Sequence, residues 1–319
     1  MWSALPLELH LPIANVIVNP MWVLLLGTIV GFLSGLFGVG GGFLVTPMLN
    51  IVFRVPYNVA AGSGLAQILG TSVSATAKHR GLGNVDVKLG SCVFASGCIG
   101  AECGARVVEL LESAEPIIVA GRDVARLELF VPVAFLVLLS TVGTITLKES
   151  RRARRRAPRG GVVETPIANR LRNIRIPPTI SLRAPAIESI SLWILLGIGL
   201  ATGFVAGFLG VGGGFVLMPL LVYGVGVPTT VAIGTGLFQA MLLSSFGTLT
   251  HALKGNVDLV LVLLLLAGSV IGAQFGASLI RKVRAAKIRY WFSLIVFSAA
   301  MAVLVKLAVQ LGLFGTRAS

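Results

Sequence analysis

The chain has 319 residues, 55% of them hydrophobic and only 12% charged, with a mean hydropathy of +0.94. A soluble domain of this size carries about 25% charged residues, so a water-soluble globular fold is excluded. The net charge of +14 sits mostly in one polar segment, so it bears on orientation in a membrane before it bears on nucleic acid.

Residues 1–20 lack a basic opening run, and Glu8, His10 and several prolines interrupt their apolar part. They are expected to form a short interfacial lead-in, not a secretory signal. Hydrophobic segments then follow at about 21–37, 43–54, 57–78, 86–111 and 126–147. Several match the roughly 20 apolar residues that span a bilayer as a helix. They are continuously apolar instead of alternating, which excludes a β-barrel. The first ends in Gly38-Val-Gly-Gly-Gly42. Each glycine costs up to about 1 kcal/mol of helix propensity, so this run is expected to break the helix. Residues 43–54 contain Pro47 and are too short to span alone.

Cys92, Cys98 and Cys103 share the fourth segment at a spacing that fits no zinc or redox motif. They are read as small packing residues, with no metal and no cofactor expected. Glu102 is the one carboxylate well inside a segment, and Arg106 lies one turn on. It is a coupling candidate by location, set against a simple i,i+4 ion pair.

Residues 148–190 form the basic segment. Eleven Lys and Arg between Lys148 and Arg183 face only Glu149 and Glu164. Interleaved aromatics for stacking bases are missing, so no nucleic-acid partner is expected. A cytoplasmic linker obeying the positive-inside rule fits better. That placement also puts Lys78, Arg80 and the cluster Arg281, Lys282, Arg284, Lys287 and Arg289 on the cytoplasmic side. The expected location is a multi-pass plasma-membrane protein with the lipid bilayer as a partner.

Segments at about 191–209, 215–226, 229–250, 257–280 and 288–312 complete the chain. They repeat the first five. Shifting by 172 residues lays Gly31–Phe43 on Gly203–Phe215, Pro47 on Pro219 and Gly62–Gln67 on Gly234–Gln239. His79 falls on His251, and Gly83–Asp86 on Gly255–Asp258. Residues 31–104 give 32 identities in 74 positions, and chance similarity between apolar helices would not keep His, Gln, Asn and Asp in register. The expected domains are a first membrane repeat (1–147), the basic linker (148–190) and a second repeat (191–319). Five segments per half, or three if the glycine-broken pair only re-enters, is odd. The second repeat is then inverted, as in many secondary transporters whose substrate sits where the repeats meet. The fold class is an all-α polytopic membrane protein of two inverted helical repeats, with short Gly-broken helices meeting near the midplane.

A helix broken inside a membrane leaves amides that must face protein or water. At a helix start they favour an anion without any cation. The candidate substrate-binding residues are therefore Gly38, Gly40, Gly41 and Gly42, and their equivalents Gly210, Gly212, Gly213 and Gly214. Ser63 and Gln67, one turn apart, and Thr235 and Gln239 add hydroxyls and carboxamides. Interhelical hydrogen bonding is the alternative role for the two glutamines. His79 and His251 titrate near neutral pH and are coupling candidates. Asp86 and Asp258 read as helix-start residues. A dinucleotide fingerprint lacks its βαβ setting, and no Walker motif occurs.

The paired stretches GFLSGLFGVGGGFLVTPML and GFVAGFLGVGGGFVLMPLL, followed by Val-Pro and then AAGSGLAQ or AIGTGLFQ, resemble the TauE/SafE family of membrane permeases. The likeness covers nearly all of both halves. It implies transport of a sulfur-containing anion such as sulfite or an organosulfonate, and points to the glycine runs, Ser63, Gln67, Thr235 and Gln239. The arginine-rich segment is longer and more basic than the family implies. The expected function is a secondary transporter of a small anion by alternating access, with His79, His251 and Glu102 as coupling candidates, the coupling ion left open, and no catalytic residues. The competing class is a membrane enzyme or assembly factor of sulfur metabolism using Cys92, Cys98 or Cys103. Homo-oligomerisation is left open.

Overall fold

A computed structural model describes residues 8–119, 122–124, 126–155, 166–173, 176–181 and 190–310. The chain opens with a hairpin of β1 (Leu9–Leu11) and β2 (Val16–Val18). The helices of the first half are α1 (Pro20–Phe37), α2 (Gly42–Ile51), α3 (Tyr57–Gly81), α4 (Val87–Glu112) and α5 (Arg126–Arg155). A small hairpin, β3 (Ile117–Val119) with β4 (Arg122–Val124), precedes α5. Next come α6 (Pro166–Asn173) and the pair β5 (Thr179–Ile180) and β6 (Ile190–Ser191). The second half holds α7 (Leu192–Leu209), α8 (Gly214–Pro219), a π-helical stretch (Leu220–Val225), α9 (Thr229–Leu253), α10 (Leu259–Leu279) and α11 (Ala285–Gln310). Among the described residues, α1, α4, α5, α7, α9, α10 and α11 are each long and apolar enough to cross a membrane. The protein is an all-α polytopic membrane protein.

Local sequence sets the element ends. Asn19 caps α1 by accepting the Met21 amide at 2.9 Å, with Pro20 at the first helical position. Asp86 and Asp258 cap α4 and α10, accepting from Leu89 at 3.1 Å and Leu261 at 3.2 Å. Pro56 and Pro228 stand just before α3 and α9.

The two halves pack by exchanging equivalents. Gly27, Gly31 and Gly35 of α1 press on the backbone of Leu265, Ser269 and Ala273 in α10. Gly199, Gly203 and Gly207 of α7 press on Val93, Gly97 and Ala101 in α4. Adding 172 to the first-half numbers and subtracting it from the second-half ones converts one set into the other. Small residues at four-residue spacing let helix backbones touch in lipid, where dispersion replaces the hydrophobic effect. In both pairs the numbers rise together, so α1 runs parallel to α10 and α7 to α4. The central helices α3 and α9 run antiparallel. Gly62 near the start of α3 meets Asn256 past the end of α9, and Gly234 meets Asn84 in the same way. The pair α5 and α11 is antiparallel too, with Gly143 against Phe297 and Ser150 bonded to Ala286.

The structure adds detail to three expectations. The lead-in is folded: amides of Ile13 and Ala14 in its turn donate to Asp258 Oδ2 at 2.9 and 3.1 Å, so the capping carboxylate of α10 also anchors the hairpin. The basic segment does not begin as a loop, because α5 continues through Lys148 to Arg155 and α6 follows. Arg156, Arg159, Arg175 and Arg183 lie outside the described residues. Arg289, grouped by sequence with Arg281, Lys282, Arg284 and Lys287, is buried. It is 3% exposed, and its Nη1 donates to Thr229 Oγ1 at 2.6 Å, which gives the buried charge a partner.

Candidate functional site

The two glycine runs cross at the centre of the molecule. Gly38, Gly40 and Gly41 have φ of 74°, 71° and 84°, and Gly210, Gly212 and Gly213 have 64°, 70° and 71°. These left-handed values end α1 and α7 and start α2 and α8, and side chains disfavour them. The last glycine of each run has another reason. A Cβ on Gly42 would lie 2.7 Å from the Val211 carbonyl, and one on Gly214 would lie 3.1 Å from that of Val39. Each run therefore rests on the other. Phe43 and Phe215, the next residues, stack with centroids 5.6 Å apart, and Thr46 of α2 donates to the Gly210 carbonyl at 3.0 Å. Gly41 and Gly213 cap α2 and α8 without a side chain, so neither helix start has a side-chain acceptor for its first amides.

The predicted polar residues fall into two groups. Ser63 and Thr235 act across the repeats: the Asp258 amide donates to Ser63 Oγ at 2.9 Å, and the Asp86 amide to Thr235 Oγ1 at 3.0 Å. Their oxygens tie the start of α10 to α3 and of α4 to α9. Gln67 and Gln239 are fully buried nearer the middle. Gln67 Nε2 donates to Thr71 Oγ1 at 2.7 Å, which also meets Ser269 Oγ at 2.7 Å. Gln67 Oε1 has no partner, and Gln239 has none on either amide atom.

His79 Nε2 donates to the Gly35 carbonyl at 3.0 Å. His251 lines a cavity of about 300 Å3 together with Gly207, Leu243, Phe246, Arg106 and Lys254. Glu102 pairs with Arg106 at 3.0 Å, and both side chains are substantially exposed. It sits at the rim of that cavity, apart from the glycine crossing. Lys254 pairs with Glu109 at the same rim. Cys92 and Cys98 are half-buried and Cys103 is exposed, all as free thiols. No group of three or more His, Cys, Asp or Glu able to hold a metal occurs among the described residues.

Four residues escaped the sequence reasoning. Ser72 and Ser244 are fully buried, and neither hydroxyl has a partner. A Cβ at Gly40 would sit 3.6 Å from Ser72 Oγ, and one at Gly212 would sit 3.0 Å from Ser244 Oγ. Thr76 and Thr248, one turn further on, are unpartnered as well. The signal was present: both pairs are identities at the 172-residue offset. A buried hydroxyl left unpaired costs about 1–3 kcal/mol, so a duplicated set needs a reason beyond stability.

A polytopic helical bundle with duplicated broken helices and an uncharged polar centre has the form of a membrane transporter. The family model described as Sulfite exporter TauE/SafE matches residues 23–303. The chain belongs to the sulfite exporter TauE/SafE family. It is 27% identical over 273 residues to the "Probable membrane transporter protein YunE" of Bacillus subtilis, covering 82% of this chain and 89% of that one. A "Probable membrane transporter protein" of Xylella fastidiosa is 25% identical over 281 residues, covering 87% and 92%. "Probable membrane transporter protein MJ0441" of Methanocaldococcus jannaschii is 26% identical over 243 residues, covering 74% and 73%. No solved structure matches.

Proposed function

We propose that the protein is a secondary transporter that moves a small sulfur-containing anion, such as sulfite or an organosulfonate, across the plasma membrane by alternating access. The carrying observation is a set of buried, uncharged polar atoms without partners: Gln67 Oε1, both amide atoms of Gln239, and the hydroxyls of Ser72 and Ser244, the two serines lying beside Gly40 and Gly212 of the glycine crossing. The Gln239 amide and the two serine hydroxyls can donate to oxyanion oxygens without the deep electrostatic trap that a buried cation would make. Turnover needs that balance, since a carrier must release what it binds. The exchanged packing and antiparallel equivalents support two inverted repeats around this centre. The run of Lys78, Arg80 and residues 148–155 at one end favours that end as cytoplasmic. In this reading His79 and His251, the duplicated titratable groups flanking the centre, carry proton coupling.

The test is flux in proteoliposomes of sulfite, an organosulfonate and sulfate, with and without a pH gradient. Movement of sulfite or the sulfonate, faster with the gradient, is expected. Silence toward all three under every gradient would overturn the assignment.

A further inference from the structure

The most informative feature is a break in the internal symmetry. His79 and Gly35 are bonded at 3.0 Å, and His79 is fully buried. Their equivalents His251 and Gly207 are not bonded among the described residues; they line the open cavity of about 300 Å3. Around the open pair, Phe246 and Ala105 also line the cavity. Around the closed pair, the equivalent Ser74 is half-buried but hydrogen-bonded, and the equivalent Ala277 is packed shut. Gln274 Nε2 donates to the Ser74 hydroxyl at 2.7 Å and to its carbonyl at 3.0 Å, and Ala277 is fully buried. The same sequence element thus appears in two states in one molecule.

The open cavity also leads inward. Leu243, in its wall, lies 3.8 Å from where a Cβ on Gly97 would sit, and Gln239 Nε2 is 3.8 Å from the same point. The unpartnered carboxamide of Gln239 therefore lies just beyond the cavity's inner wall. Gln67, on the closed side, is tied to Thr71. At the mouth, Arg106 and Lys254 are each matched by a carboxylate, Glu102 and Glu109. The vestibule is largely apolar inside, with Leu65, Leu243 and Phe246 in its wall, and its mouth is balanced in charge, which suits passage of a small anion better than its retention.

We infer that the cavity beside His251 is the substrate vestibule of one membrane face, and that His79–Gly35 and His251–Gly207 are reciprocal latches closing the two faces in turn. The inference rests on the transporter reading above and names the access sites for its anion. In the opposite state His251 closes on the Gly207 carbonyl and His79 leaves Gly35. The second vestibule is then lined by Gly35, Thr71, Ser74, Gln274 and Ala277.

The experiment uses full-length protein in sealed vesicles, with Cys92, Cys98 and Cys103 replaced by alanine. Ala105→Cys and Ala277→Cys are probed separately with a membrane-impermeant maleimide from each side. Ala105→Cys should label readily from one side while Ala277→Cys is protected. Adding His79→Ala should raise labelling of Ala277→Cys from the other side and lower that of Ala105→Cys. The expected factor is roughly fivefold each way, about what one ordinary hydrogen bond is worth. His79→Gln, which keeps a donor, should restore most of the original pattern. Gln274→Leu, which removes the second closing contact, should act like His79→Ala and gives the same readout if that variant does not fold. Labelling of the two positions that never changes reciprocally overturns the latches. Sulfite flux measured in the same vesicles separates the two claims: flux without reciprocal labelling removes the latches alone, and reciprocal labelling without flux of any sulfur anion removes the substrate assignment alone.

Discussion

Gly203 lies so close to Gly97 that a Cβ on it would come within 2.0 Å of the Gly97 carbonyl oxygen. Gly31 stands in the same relation to Ser269, at 2.1 Å. The atoms met are backbone, so neither helix can yield by a rotamer change. Gly197, on the same helix as Gly203, meets nothing within 4 Å. Two alanine substitutions on one helix should therefore differ in sign. Gly203→Ala should force α7 from α4 and lower the melting temperature in detergent by several degrees or abolish folded expression. Gly197→Ala should raise stability by up to about 1 kcal/mol through helix propensity. A melting temperature that falls equally for both would contradict this packing.

Ser72→Ala and Ser244→Ala offer a separation of stability from function. Each removes a buried hydroxyl that has no partner, so each should leave stability unchanged or raise it by about 1 kcal/mol. If the hydroxyls face the anion, both should slow sulfite flux, and the double variant more than either single one. Thermal unfolding and flux measured on one preparation decide it. Flux that survives both substitutions unchanged would remove the serines from the site.

Asp258 carries three loads, accepting amides from Leu261, Ile13 and Ala14. Asp258→Ala should cost about 1 kcal/mol for the lost cap. The terminal hairpin should loosen as well, since both amides of its turn would lose their shared acceptor. Hydrogen exchange should speed up at Ile13 and Ala14 and leave the middle of α10 protected. Protection retained at both residues would mean that the buried Leu11, Ala14 and Val18 hold the hairpin without the carboxylate.

Much of this architecture was legible because duplication amplifies weak signals. A single Gly-Val-Gly-Gly-Gly segment could be close packing; two at a fixed offset marked both helix breaks, and α1, α2, α7 and α8 end or begin there. Asp86 and Asp258 were readable as caps because a short acceptor before an apolar run has few other uses. The partners of Ser63 and Thr235 were not readable. Each bonds an amide of the opposite repeat, and long-range pairing leaves no periodic trace in sequence. That Arg289 is buried was not readable, for a related reason. It lies among Arg281, Lys282, Arg284 and Lys287, and its burial depends on which face of α11 meets Thr229. The N-terminal hairpin was missed because three-residue strands are too short to show alternation.

The three cysteines test whether sulfur chemistry is done by the protein or only carried across it. Cys92, Cys98 and Cys103 all lie on α4 as free thiols. Cys98 and Cys103 face a shallow depression with Ile99, Glu102 and Arg106, while the glycine crossing is built from α1, α2, α7 and α8. A thiol acting on sulfite would have to reach the anion, and none of the three lines the cavity beside His251. Replacing all three with alanine should therefore leave sulfite flux within about twofold of the unmodified protein, a change below 0.5 kcal/mol in barrier. A transporter that stops when its thiols are removed, while its melting temperature holds, would revive the enzyme reading and displace the glycine crossing as the functional centre.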